Sequence, residues 1–86
     1  MIFDLEDIVD EATAQAAADR LVVEAIDVSE ATRRKRQKIR TCSAKIKKLV
    51  KLCRVRRYDK PIATVKKSFE MLEEERGEMD VNLFGI

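Results

Sequence analysis

The sequence predicts an all-α protein, and three observations carry that prediction. Charged residues make up 40% of the 86 residues and aromatics only 5%, with two Gly and one Pro. Such a mix is too apolar for a disordered tail and too poor in turn residues for a small β-barrel. Apolar residues also recur with 4,3 spacing over nearly six heptads, from Ala14 to Cys53. Finally, Tyr58-Asp59-Lys60-Pro61 is the one clear turn signal. The expected architecture is one long, partly coiled-coil helix bent near 27–30, a turn at 58–61, and a shorter C-terminal helix. Residues 1–86 form a single domain: an acidic helical arm (1–30), a basic heptad helix (31–57), a second helix (61–76) and an acidic tail (77–86).

The elements follow in order. Asp4 suits an N-cap, with Glu6 and Asp7 favouring the first-turn dipole, and Phe3 and Ile8 have the spacing of a hydrophobic staple. Helix is then expected as far as Arg57. Asp27 and Glu30 have capping-box spacing, but the heptad passes through them without a phase shift, which favours a bend over a loop. The a-positions are Ala18, Ala25, Thr32, Ile39, Ile46 and Cys53, and the d-positions are Ala14, Leu21, Val28, Lys35, Cys42 and Leu49. Only Thr32 and Lys35 interrupt the stripe. After the turn, Pro61 suits a first helical turn with Asp59 as N-cap, Ile62, Val65, Phe69 and Leu72 form the buried face, and Gly77 suits the helix end, although Met79 and Leu83 continue the same phase beyond it. A stripe of this kind has to be covered by other helices. Leu21, Val28, Ile39, Cys42, Ile46, Leu49 and Cys53, joined by Val65, Phe69 and Leu72, are therefore assigned to the seam of a homo-oligomer.

Charge is segregated along the chain. Residues 1–30 hold nine acids and one base, residues 31–67 sixteen bases and one acid, and residues 68–86 six acids and one base. Thirteen cations lie between Arg33 and Arg57 with no acid among them, so no carboxylate within the run can pair at i,i+4. The second helix carries Lys66 and Lys67 early and Glu73, Glu74 and Glu75 late, against its own macrodipole. A solvated helix face normally mixes signs, so a run this long reads as a surface for a polyanion.

Arg33, Arg40, Lys47 and Arg54 repeat every seven residues beside the apolar stripe, with Arg34 and Lys48 in the next row and Lys38 and Lys45 on the other side. A helix over residues 33–57 would be about 37 Å long, close to one turn of duplex DNA. Arg33, Arg34, Arg40, Lys47, Lys48, Lys51, Arg54, Arg56, Arg57, Lys60, Lys66 and Lys67 are the expected phosphate contacts. No aromatic interrupts the basic run before Tyr58, so stacking on single-stranded bases is not its main device. Double-stranded DNA is the expected partner, bound with little sequence preference; structured RNA would be met through the same phosphates.

Catalysis has little support. Histidine is absent, the serines have no base to activate them, and no Gly-rich phosphate loop is present. No cofactor, metal or small-molecule substrate is expected. No apolar run is long enough to span a membrane and the N-terminus lacks a signal-peptide pattern, so a cytoplasmic, nucleoid-associated location is expected. Two cysteines are too few for a disulfide framework, and both read as reduced and buried. The alternative function is a helical assembly or regulatory protein, phage-type or part of a virion, whose charged blocks pair between protein chains.

A long basic helix, the Tyr58-Asp59 turn and the Val65-Lys66-Lys67 step together resemble small all-helical duplex-binding proteins. These are the GapR family of bacterial chromosome proteins and the late-promoter duplex-binding protein of T-even-like phages. Thr13-Ala14-Gln15 with Arg20-Leu21 is similar to the start of the GapR long helix. The resemblance implies an oligomer that grips duplex DNA by shape and charge, with Lys66 and Lys67 in matching positions. The chain departs from the GapR pattern in its longer stretch between Asp59 and Val65, which contains Pro61, and in its denser basic block.

Overall fold

The computed structural model describes residues 7–77, which form three helices and no strand. They are α1 (Glu11–Glu30), α2 (Lys35–Arg56) and α3 (Asp59–Arg76). The all-α expectation holds, but the single long helix does not. The chain folds back on itself at residues 31–34, so α2 lies antiparallel to α1, and again at 57–58, so that α3 runs back along both. A continuous helix over residues 11–56 would be about 70 Å long and would leave its whole apolar stripe open. The hairpin buries that stripe inside one chain.

The break falls just beyond the bend expected at 27–30, within the gap in the apolar repeat between Val28 and Ile39. Its heptad positions Thr32 and Lys35 are exposed and half-buried respectively, so neither anchors the helix in the apolar core. Neither Gly nor Pro marks the reversal. Arg34 makes it by adopting a left-handed conformation, φ 53° and ψ 30°. Asp27 and Glu30, despite their capping-box spacing, both lie within α1.

Ala14, Ala18, Leu21, Ala25 and Val28 are buried on α1, and Ile39, Cys42, Ile46, Leu49, Val50 and Cys53 on α2. Val65, Phe69 and Leu72 close the core from α3. This corrects the oligomer-seam assignment: Leu21, Val28, Ile39, Cys42, Ile46, Leu49, Cys53, Val65, Phe69 and Leu72 are all buried by their own chain. Alanines at three of the buried α1 positions let that helix sit close to its neighbours, and the larger side chains of α2 and α3 supply most of the apolar area. A fully buried Leu, Ile, Val or Phe contributes roughly 1.5–3 kcal/mol.

The helix ends explain the boundaries. α1 is capped by Asp10, whose side chain accepts from the Thr13 N–H at 2.8 Å, while the Asp10 N–H donates to Thr13 Oγ1 at 3.1 Å. The Thr13 hydrogen bonds hold the Asp10 carboxyl below its ordinary pKa. The expected N-cap Asp4, with Phe3, Glu6 and the tail beyond Gly77, lies outside the described residues. Arg57 ends α2 in a second left-handed conformation (φ 60°), with the Tyr58 N–H donating to the Cys53 carbonyl at 2.8 Å. Tyr58, not Asp59, is the N-cap of α3, and Pro61 falls within the first turn, where no intrahelical N–H is required. Of the two helix ends the sequence leaves open, α3 takes the one at Gly77, at φ 83°.

Candidate nucleic-acid interface

Successive residues of an α-helix are rotated by about 100°. With Ile46 at the centre of the buried side of α2, Arg36, Arg40, Lys47, Lys51 and Arg54 fall in one strip about 60° wide, directly beside the buried stripe. Arg36 and Arg54 stand about 27 Å apart along the axis. The strip borders α3, because the Lys47 ammonium lies 5.9 Å from the centroid of the Phe69 ring. That contact also sets the antiparallel register and brings the Lys66 turn of α3 level with the Lys51 turn of α2.

The opposite edge of α3 faces α1. There Gln15 Nε2 donates to Thr64 Oγ1 at 2.8 Å and Ser29 Oγ donates to Glu75 Oε1 at 2.9 Å. The row containing Ile62 and Lys66 therefore flanks α2, and Lys66 extends the α2 strip across the helix boundary. Arg36, Arg40, Lys51, Arg54 and Lys66 are all exposed, and none is paired with a carboxylate among the described residues. Lys47 differs from them, being half-buried and held over Phe69.

The remaining cations are dispersed. Lys45 Nζ donates to Glu24 Oε1 at 2.9 Å, and Lys35 lies 3.5 Å from Glu75. Arg56 Nη1 donates to the Ile8 carbonyl at 2.8 Å, which draws it toward the start of α1 and off the strip. Lys48 lies on the outermost line of α2, Lys60 and Lys67 on the outer face of α3, Arg33 and Arg34 in the first connection, and Arg57 at the end of α2. The structure thus gathers Arg40, Lys47, Lys51, Arg54 and Lys66 from the expected set and separates the others. It adds Arg36, which strict seven-residue counting from Arg33 passes over although it stands five helical turns directly above Arg54.

The acids are arranged differently. Glu11, Asp19, Asp27 and Glu30 are exposed on α1, so the segregation seen along the sequence becomes a segregation between helices. Glu70 and Glu74 are exposed on α3. Glu73 is only 2% exposed; its Oε1 lies 3.6 Å from Arg76 and has no hydrogen-bond partner among the described residues.

The two cysteines are free and buried. Burial, followed by the neighbouring Glu24 carboxylate, pushes the Cys42 thiol up to about 12, and burial raises Cys53 as well. Neutral thiols in the core are poor nucleophiles. Among the described residues no His, Cys, Asp and Glu group is placed to hold a metal ion, and no helix is long and apolar enough to cross a membrane.

No family model, no curated protein and no solved structure matches this chain.

Proposed function

We propose that this chain is a non-enzymatic binder of duplex DNA that engages phosphates through the α2–α3 edge and reads little sequence. One observation carries the reading: Arg36, Arg40, Lys51 and Arg54, with Lys66 beside them, form an exposed cationic strip whose members make no salt bridge to a carboxylate of the described residues. Its span of about 27 Å suits several phosphates along one groove edge. Keeping five like charges together has an electrostatic cost that a polyanion relieves.

Phosphate contacts orient a protein on DNA without distinguishing bases, so unrelated duplexes should bind alike. The order of basic helix, Tyr58-Asp59 turn and Val65-Lys66-Lys67 step, which resembles the GapR family and the phage duplex-binding protein, is consistent with the same reading. Because the apolar stripe is closed within one chain, the reading no longer depends on a homo-oligomer.

The assembly alternative draws on a different observation. Val23 and Ile26 are 59% and 49% exposed on the acidic helix α1, so that helix offers apolar surface among carboxylates. Titrating nuclease-treated protein with two unrelated duplexes, and sizing it with and without them, tests the proposal. Similar salt-sensitive affinity for both duplexes supports it. An oligomer indifferent to DNA supports assembly.

A further inference from the structure

On the far flank of α2 from the cationic strip, a cleft of about 400 Å³ opens between α1 and α2. Lys38, Thr41 and Lys45 line it from one side, at 3,4 spacing that aligns them along a single edge of α2, with Gln37 beside them and Arg34 reaching in from the connection. Glu24 and Val28 line it from α1, one helical turn apart. The volume is in the range of sites that accept a whole small molecule, about 300–1,000 Å³.

The charges in the cleft do not cancel. Glu24 is its one carboxylate, and it is already engaged, accepting from Lys45 Nζ at 2.9 Å and from the Cys42 thiol. Arg34 and Lys38 have no carboxylate partner among the described residues. Thr41 spends its hydroxyl proton on the Gln37 carbonyl at 3.1 Å, so the charged donors left to a ligand are Arg34 and Lys38, with the Gln37 carboxamide beside them. The cleft thus combines two uncompensated positive charges with an apolar wall at Val28, and its volume exceeds what an inorganic ion needs.

We infer that this cleft binds a small organic phosphate bearing a diphosphate group, with the phosphates between Arg34 and Lys38 and the organic part toward Val28. The guanidinium suits bidentate recognition of phosphate oxygens, and the lysine supplies a mobile point charge. The site is separate from the DNA strip, because its cations point from the opposite flank of α2.

Arg34 offers a clean test, since its left-handed backbone is one that glycine adopts without strain. Calorimetric titration of the full chain with ADP, and separately with inorganic pyrophosphate, should give saturable 1:1 binding for ADP. A double variant, Arg34→Gly with Lys38→Gln, should weaken it at least tenfold, while a triple variant, Arg40→Ala, Lys51→Ala and Arg54→Ala, should leave it within about twofold. Weaker binding of pyrophosphate than of ADP would identify a nucleotide-like ligand; equal binding would identify the free diphosphate as sufficient. Absence of saturable binding to both probes, a stoichiometry above one, or equal weakening in the two variant sets would overturn the site. These outcomes are independent of whether duplex DNA binds the other flank.

Discussion

The Lys47 ammonium lies 5.9 Å from the centroid of Phe69, an aromatic ring that is itself buried in the core. One residue of the basic strip is therefore part of the fold, and it ties α2 to α3 at the level where the strip crosses from one helix to the other. A partly desolvated cation over an aromatic face contributes about 0.5–2 kcal/mol. Lys47→Ala is expected to lower stability by that amount in denaturant unfolding. It should also reduce duplex affinity less than Arg40→Ala does, because Lys47 is less available to a phosphate.

Arg57 ends α2 with φ 60°, a conformation that disfavours any side chain with a Cβ. Glycine there removes that strain but adds freedom to the unfolded chain. Arg57→Gly is expected to raise stability by roughly 0.5–1 kcal/mol. Thermal unfolding monitored by circular dichroism checks it, and an unchanged or lower midpoint would contradict the conformational account.

Ser43 is 1% exposed on α2, and its hydroxyl has no hydrogen-bond partner among the described residues. An unsatisfied buried hydroxyl costs about 1–3 kcal/mol, and alanine is also the better helix former. Ser43→Ala should stabilise the protein by about 1 kcal/mol, read from the urea midpoint at an unchanged slope.

Cys42 gives the stability a defined response to alkali. Its thiol titrates near 9.0 when unfolded and is pushed up to about 12 in the fold, first by burial and then by Glu24. Below pH 9 both states hold the proton and stability is unaffected. Between the two values the unfolded state loses it first, so stability falls as pH rises, by up to about 1.4 kcal/mol per pH unit. Cys42→Ala should be less stable near neutrality but should show a shallower decline above pH 9. Equal slopes in parallel urea titrations would sink this assignment. Native protein should also react slowly with a thiol reagent until it unfolds.

The sequence made the core legible because side chains at 4,3 spacing share a helix face wherever the chain is helical. Ala14, Leu21, Ile39, Ile46 and Leu49 are all buried as that spacing requires. The partner of the stripe was not legible. A heptad repeat is satisfied equally by a second chain or by the same chain folded back, and residues 31–34 carry no Gly or Pro to announce the reversal. Thr32 and Lys35, the two gaps in the repeat, were the available signal, since polar residues that interrupt an apolar stripe are where a helix can leave the core and end. Arg40 and Arg54 were found because their seven-residue spacing follows two helical turns closely. Arg36 was missed because the strip follows 3.6 residues per turn and not the heptad, while Lys38 and Lys45 were grouped with a cationic face although that flank of α2 looks toward α1.

The salt dependence of duplex binding tests the central claim most directly. If Arg36, Arg40, Lys51, Arg54 and Lys66 each neutralise one phosphate, the logarithm of affinity should fall against the logarithm of salt with a slope near −4.5. Replacing Arg40, Lys51 and Arg54 together with alanine should bring that slope to about −1.8 while the circular dichroism spectrum stays unchanged. Wild-type affinity that is insensitive to salt, or a folded triple variant that keeps the full slope, would contradict the account.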